Sequence, residues 1–161
     1  MTFPIQDQLD QIKNAIESAN QKVIFSAIRH YYPGSGNVNE ETTITYDEAN
    51  VNVGGGMDAG SGFFTVPVSG IYSFSFRGLS MWRKTLTNIH VRKNNATQFR
   101  ILEHSDDTKS HDILSTTWLM NLTQNDVISL YASSDNYWSS GGFSVNIYHP
   151  VLFNGHLLMK Q

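Results

Sequence analysis

The segment from Asp58 to Phe76, DAGSGFFTVPVSGIYSFSF, constrains the fold of this chain more than any other stretch. Its second half alternates strictly, so that Tyr72, Phe74 and Phe76 share one face of a β-strand and Ile71, Ser73 and Ser75 lie on the other. Each aromatic ring can bury about 150–250 Å² of surface. A strand with such a face belongs in the interior of a sheet. The run before Pro67 is also of β-type, and it must end there or lie at an edge because proline has no backbone donor.

Residues 1–22 carry a different pattern, in which apolar residues recur at alternating spacings of four and three. They are Ile5, Leu9, Ile12, Ile16 and Ala19, with Val23 as the next in the series. This heptad pattern predicts a short helix. Leu9 and Ile16 at a positions with Ile12 at d disfavour a two-stranded coil. We therefore expect a parallel coiled coil of three strands, and an amphipathic helix packed on its own domain stays open as the alternative.

From residue 23 onward the helical period disappears and ten short strands are predicted. They are Val23–Arg29, Thr42–Tyr46, Phe63–Val66, Ile71–Phe76, Ile89–Lys93, Gln98–Leu102, Ile113–Leu122, Val127–Ala132, Phe143–Tyr148 and Val151–Met159. The segment Asn50–Gly62, which contains three consecutive glycines, is interpreted as a flexible loop. Short strands without an intervening helix predict an all-β, ten-stranded antiparallel jelly-roll sandwich. The chain thus divides into a coiled-coil helix over 1–22 and a β domain over 23–161.

The amino-acid composition of the chain restricts the kinds of partner that it can bind. Charged residues are 16% of the chain, against about 25% in an average soluble domain, which favours a subunit that is buried in an oligomer. The net charge of −3 and the scattered Lys and Arg residues argue against nucleic-acid binding. The chain has no cysteine, which excludes disulfides and cysteine-based zinc sites. No apolar run is long enough to insert across a membrane.

The string Gly62 to Ser75, GFFTVPVSGIYSFS, resembles the signature of the complement C1q-type globular domain, Gly-x-Phe-Thr-x-Pro-x-x-Gly-x-Tyr-x-Phe-Ser. Further similarities lie at 25–27, 44–48, 119–130 and 153–158. The resemblance implies a jelly roll that associates as a compact trimer, as in tumour necrosis factor, with the heptads as its stalk. It also implies an extracellular protein whose signal peptide was removed before this chain begins. There is no collagen-like Gly-x-y repeat, so docking onto collagen-bound proteases is not expected.

An enzyme is not expected. The sequence contains no nucleophile elbow, phosphate-binding loop or zinc-binding His-Glu-x-x-His pattern. The six histidines are scattered, and most are interpreted as loop and surface residues. They are His30, His90, His104, His111, His149 and His156.

Calcium is the one cofactor that the sequence suggests. Oxygen-rich loops suit calcium, and several relatives in the resembled family bind it near the trimer apex. By that resemblance the candidate ligands are Glu103, Asp106 and Asp112. Their spacing forms no complete ligand set, so a solvated loop is the favoured alternative.

Two connections combine aromatic rings with amides, hydroxyls and charges, which is the composition of sugar-binding loops. The candidate ligand-binding residues are Trp82, Arg83, Asp135, Asn136, Tyr137 and Trp138. Packing of either tryptophan at a subunit interface is the competing interpretation.

The function that the resemblance implies is a secreted, homotrimeric recognition protein. We expect lectin-like pattern recognition in innate immunity, with glycans or other microbial and cell-surface ligands bound multivalently. The alternative is an extracellular signalling ligand, like tumour necrosis factor or cerebellin, that binds a protein receptor. No nucleic-acid partner and no membrane insertion are expected.

Overall fold

The structure is a computed structural model that describes residues 4–30, 42–80, 86–104, 112–133 and 150–161. These residues form one helix and eleven strands. The elements are α1 (Ile5–Ala19), β1 (Ile24–Arg29), β2 (Thr42–Thr43), β3 (Glu48–Val53), β4 (Met57–Asp58), β5 (Phe63–Thr65), β6 (Gly70–Ser80), β7 (Leu86–Lys93), β8 (Ala96–His104), β9 (Asp112–Leu122), β10 (Val127–Ala132) and β11 (Val151–Lys160). The predicted helix and the all-β domain are both confirmed. The predicted strand Phe143–Tyr148 lies outside the described residues.

Two antiparallel sheets make a sandwich. The five-stranded sheet has the order β3-β1-β11-β6-β9, and the six-stranded sheet has the order β4-β5-β10-β7-β8 with β2 paired to β10. The last strand, β11, lies between β1 and β6, so strands from both ends of the β domain are neighbours in one sheet. This long-range antiparallel pairing is the connectivity of a jelly roll.

The alternation in β6 decides which side of its sheet faces the core. Tyr72, Phe74 and Phe76 are at most 1% exposed, and β6 lies inside the sheet with a neighbour on each side. Ser73 and Ser75 point to the opposite side of the same strand. The strand that the sequence places in the sheet interior is found there.

A cluster of aromatic rings fills the core between the two sheets. The ring of Phe25 lies 4.6 Å from that of Phe64 across the sandwich and 5.0 Å from that of Phe153 within its own sheet. Gly155 pairs with Phe25 on one side and with Phe74 on the other. A Cβ atom there would overlap the ring of Phe25 and lie 2.8 Å from Cδ1 of Phe74. The two neighbouring rings therefore occupy the space of the missing side chain.

The turn that precedes β5 explains the glycine that opens the signature string. Asp58 accepts hydrogen bonds from the Ser61 hydroxyl at 2.7 Å and the Gly60 amide at 3.0 Å. The Ser61 bond lowers the pKa of the Asp58 carboxyl. Gly62 follows with φ of 75°, and a Cβ atom there would overlap the carbonyl of Ile44. Only glycine combines this backbone conformation with so close an approach.

The interpretation of Asn50–Gly62 as a loop is wrong. Most of β3 and all of β4 lie within it. β3 is an edge strand with an exposed surface, so its sequence lacks the apolar face by which a strand is recognised. Gly54 and Gly55, with φ of 87° and 69°, form the tight turn that joins the two strands.

The predicted strand Thr42–Tyr46 is also shorter than expected, since only Thr42–Thr43 forms a ladder. Its apolar residues, Ile44 and Tyr46, are buried as the alternation implies. Their amides donate to two different segments, Ile44 to the carbonyl of Leu130 and Tyr46 to that of Ala59. The extended segment therefore crosses between neighbours without continuing one ladder.

Asp126 holds together two turns at the end of the sandwich where α1 joins. It forms an ion pair with Lys93 at 2.8 Å and accepts bonds from the Thr123 amide and the Asn94 side chain, each at 2.8 Å. Partial burial acts to raise the pKa of Asp126, but the bonds from these three partners outweigh it, so the pKa lies below its ordinary value.

Replacing Gly155 with alanine should destabilise the domain by about 1–3 kcal/mol, the cost of adding a methyl group to a closely packed core. The matched control is Gly60→Ala, because a Cβ atom at Gly60 meets nothing nearer than Oδ1 of Asp58 at 3.5 Å. Urea unfolding of the two variants measures the difference. Equal stability of both would contradict the packing described for Phe25, Gly155 and Phe74.

Asp126→Asn should lower the free energy of unfolding at pH 7 by about 1–2 kcal/mol, the size of a charge-assisted hydrogen bond at a partly solvated site. Because folding lowers the pKa of Asp126, its contribution is present above about pH 4, the ordinary value for aspartate, and is lost as pH falls through the lowered value. The stability difference between variant and wild type should therefore shrink in acid. Asp10→Asn on the exposed surface of α1 is the control, and a difference that does not change with pH would refute the role of the charge.

Candidate functional site: the outward face of the five-stranded sheet

The ligand residues predicted from the sequence lie in, or beside, connections outside the described residues. This applies to Trp82, Arg83, Asp106, Asp135, Asn136, Tyr137 and Trp138. Glu103 lies in β8 and Asp112 in β9, where the structure describes their backbone only. Among the described residues, no group of three or more His, Asp or Glu side chains could hold a metal ion. The sugar site and the calcium site therefore stay predictions.

The strand ends show where these connections begin and finish. Four register pairs bound the segments 31–41, 81–85, 105–111 and 134–149. They are Arg29 with Val151, Ser80 with Asp112, Leu86 with His104, and Thr42 with Ala132. All four lie at one end of the sandwich, here called the loop end. The predicted ligand residues thus belong to connections that share this end, while α1 leads into β1 at the opposite end.

The side of the five-stranded sheet that faces away from the core is built from rows of residues that cross all five strands. One row contains Val53, Ile24, His156, Ser73 and Leu119. The next row contains Val51, Ser26, Asn154, Ser75 and Thr117. The middle of both rows is polar and mostly small, and the Asn154 amide donates to the Ser75 hydroxyl at 3.3 Å.

Large apolar side chains flank this flat centre and lie open to solvent. They are Ile24, Val53, Ile113, Leu119 and Met159, with exposed fractions between 42% and 62%. We call this set the apolar sheet face. Several large apolar side chains exposed on one face of a sheet indicate an interaction site. The small residues at its centre allow another chain to approach the backbone closely.

The helix carries a second exposed apolar surface. Ile5, Leu9, Ile12 and Ile16 are 45–83% exposed along one side of α1, and we call them the helix stripe. A helix of 15 residues is only marginally stable alone in water, since most helical stability comes from packing an apolar face. α1 is too short and too polar to cross a bilayer, and it is the one helix in the described part of the chain.

The outward face of the six-stranded sheet is polar along β7. Asn88 and His90 on β7 are 1% and 4% exposed, and Nδ1 of His90 lies 3.1 Å from the Thr97 hydroxyl. His90 is thus an exception to the expectation that the histidines are loop and surface residues. The alternation of Asn88, His90 and Arg92 with apolar residues in TNIHVRK is the signal that places it on a strand.

Comparisons with known proteins agree with this architecture. Residues 24–158 match the family model of the C1q domain. Caprin-2 of Danio rerio is 28% identical over 131 residues, which are 76% of this chain and 14% of that protein. Complement C1q tumor necrosis factor-related protein 2 of Homo sapiens is 30% identical over 138 residues, which are 79% of this chain and 45% of that protein. The chain thus spans less than half the length of either relative.

Solved structures show the same fold at low identity. The globular domain of zebrafish complement 1qA has a TM-score of 0.69 at 15% identity, covering 87% of this chain and 99% of that one. Murine APRIL at pH 5.0 has a TM-score of 0.60 at 14% identity, covering 85% and 99%.

The signature string, the two antiparallel sheets and the match over residues 24–158 all indicate one family. Its domain is a ligand or recognition fold and not a catalytic one. The chain belongs to the C1q domain family.

Proposed function

We propose that this chain is the subunit of an extracellular homotrimer that binds microbial or cell-surface glycans multivalently, as a lectin-like recognition protein of innate immunity. The observation that carries the proposal is the presence of two exposed apolar surfaces, the helix stripe and the apolar sheet face, on one chain. Both are accounted for if copies of the chain cover them.

The helix stripe favours three copies. Its residues follow a heptad spacing, and leucine at a with isoleucine at d shifts coiled coils away from dimers. Three copies of α1 would bury the stripe along a common axis and supply the packing that a lone helix lacks. Residues 1–22 are then a stalk, and residues 23–161 are the domain that it holds.

The apolar sheet face supplies the larger share of the contact. Fully burying one aliphatic side chain is worth about 1.5–3 kcal/mol. The helix stripe and the apolar sheet face together hold nine such side chains. Burial of these side chains between copies of the chain is the main favourable contribution to the assembly. The low charge of the chain supports the same assembly, because charged residues are depleted from interface centres.

The helix and the loop end lie at opposite ends of the sandwich, so the assembly would have a stalk side and a loop side. A stalk at one end would make three loop ends point the same way. Each loop end carries the connections with Trp82 and Trp138, whose neighbours suit sugar binding. Three weak sites displayed rigidly bind a repeating surface much more tightly than one site does.

Leu119→Glu should convert the trimer into a monomer and abolish agglutination of cells that the wild type agglutinates. The reason is that assembly would bury one unpaired carboxylate per chain. The matched control is Phe63→Glu, because Phe63 is 41% exposed on the other sheet, in β5. Light scattering and an agglutination assay measure the two effects.

Retention of the trimer by Leu119→Glu would refute the assigned face. If the trimer fails to agglutinate and ignores a glycan array, but binds one receptor ectodomain, the chain is a signalling ligand and the lectin proposal is wrong.

A further inference from the structure

We propose that Asn95, at the tip of the turn between β7 and β8, is the N-glycosylation site of this chain. It begins an Asn-x-Thr sequon over residues 95–97, and Asn121 begins the second such sequon over residues 121–123. The choice between the two rests on the surroundings of each asparagine. The inference depends on the proposed function in one respect, which is that the chain enters the secretory pathway.

The turn between β7 and β8 presents Asn95 to solvent. Asn94 and Asn95 have φ of 50° and 65°, which is the left-handed backbone of both central residues in a two-residue hairpin turn. Lys93 and Ala96 close this turn as the last register pair of the two strands. Asn94, Asn95 and Ala96 are all exposed. A group attached to Asn95 therefore projects into solvent at the stalk side of the domain, where it leaves the loop end open.

The two asparagines of the turn differ in what their side chains are bonded to. The Asn94 amide donates to the Asp126 carboxylate, and its Oδ1 accepts from the Val127 amide, each at 2.8 Å. For Asn95, Oδ1 accepts from Nη1 of Arg92 at 3.2 Å. Its Nδ2 makes no hydrogen bond to the part of the chain that the structure describes. The atom that would carry the glycan is thus the one that the fold does not use.

The modification exchanges one hydrogen of Nδ2 for a sugar. The donor is an oligosaccharide linked to a lipid pyrophosphate, and the oligosaccharyltransferase of the secretory pathway catalyses the transfer. A bond forms between Nδ2 and C1 of the first sugar, while the bond between C1 and the pyrophosphate oxygen breaks. The lipid pyrophosphate leaves with the bonding electrons, and the amide proton passes to a base of the transferase. The carbonyl of Asn95 is unchanged, so Oδ1 keeps its bond to Arg92.

A glycan on Asn121 would conflict with the proposed trimer. Asn121 is exposed on β9 and pairs with Ile71, which pairs in turn with Met159 on β11. Leu119 lies two residues earlier on the same side of β9. Leu119 and Met159 both belong to the apolar sheet face. A bulky glycan at Asn121 would cover the surface that other copies of the chain are proposed to cover, so we expect trimers to carry the glycan at Asn95 alone.

The test is expression of the full chain in mammalian cells behind a signal peptide, followed by treatment with peptide N-glycosidase F. This enzyme converts a glycosylated asparagine into aspartate, which peptide mass spectrometry assigns to a position, with untreated protein as the control for spontaneous deamidation. Trimer isolated by gel filtration should show the conversion at Asn95 and none at Asn121. Treatment should also increase the electrophoretic mobility of the chain.

Asn95→Asp should abolish that change in mobility. The variant has no amide nitrogen, but aspartate keeps an oxygen for Arg92 and tolerates the left-handed backbone of the turn. Thr97→Ser keeps the sequon and should keep the glycan, whereas Thr97→Ala should lose it. Asn121→Gln is the matched control, and it should leave the glycan of the trimer unchanged.

Wild-type chain without a glycan at Asn95, or a trimer with a glycan at Asn121, would overturn the assignment. Protein from the medium and from the cells is mapped in the same way, so poor secretion of a variant does not prevent the measurement. Glycan mapping and light scattering give separate results. A trimer that lacks the glycan at Asn95 refutes only this site, and a monomer that carries it refutes only the proposed function.

Discussion

The packing of the three inward-facing aromatic rings of β6 determines more of this structure than any other interaction. Tyr72, Phe74 and Phe76 can only be buried on one side of the five-stranded sheet, and the rings of Phe25, Phe64 and Phe153 close around them. Since side chains alternate along a strand, burying these rings turns Ser73 and Ser75 outward. The packing of the core thus sets the composition of the opposite face, which is small and polar at its centre and apolar at its margins.

The same alternation links folding to recognition. A sheet with one face in the core and large apolar side chains at the margins of the other cannot leave those side chains in water without cost. In the proposed trimer, other copies of the chain cover these side chains, and the helix stripe adds a second contact at the opposite end of the domain. Neither the helix stripe nor the apolar sheet face, as defined by their residues, includes a residue of the connections at the loop end. These connections are therefore able to vary in chemistry while the scaffold stays the same.

Some of this could be predicted from the sequence and some could not, for physical reasons. β6 was predictable because the alternation of aromatic and other residues indicates both an extended conformation and the face that is buried. Edge strand β3 was missed because an exposed strand has no apolar face to detect. Ile44 and Tyr46 alternate correctly, but their hydrogen bonds go to two different segments, which local sequence does not encode. The alternation around His90 places it on a strand, but its burial depends on residues distant in the chain, which local sequence does not encode.

The proposed trimer depends on contacts among three copies of the chain, through the outward face of the five-stranded sheet and through the stalk. Light scattering of the wild-type chain over a range of concentrations tests this most directly. We expect a mass about three times the 18.1 kDa of one chain, unchanged by dilution to about micromolar concentration, which requires a contact clearly stronger than roughly 8 kcal/mol. A mass of one chain at that concentration would contradict the account.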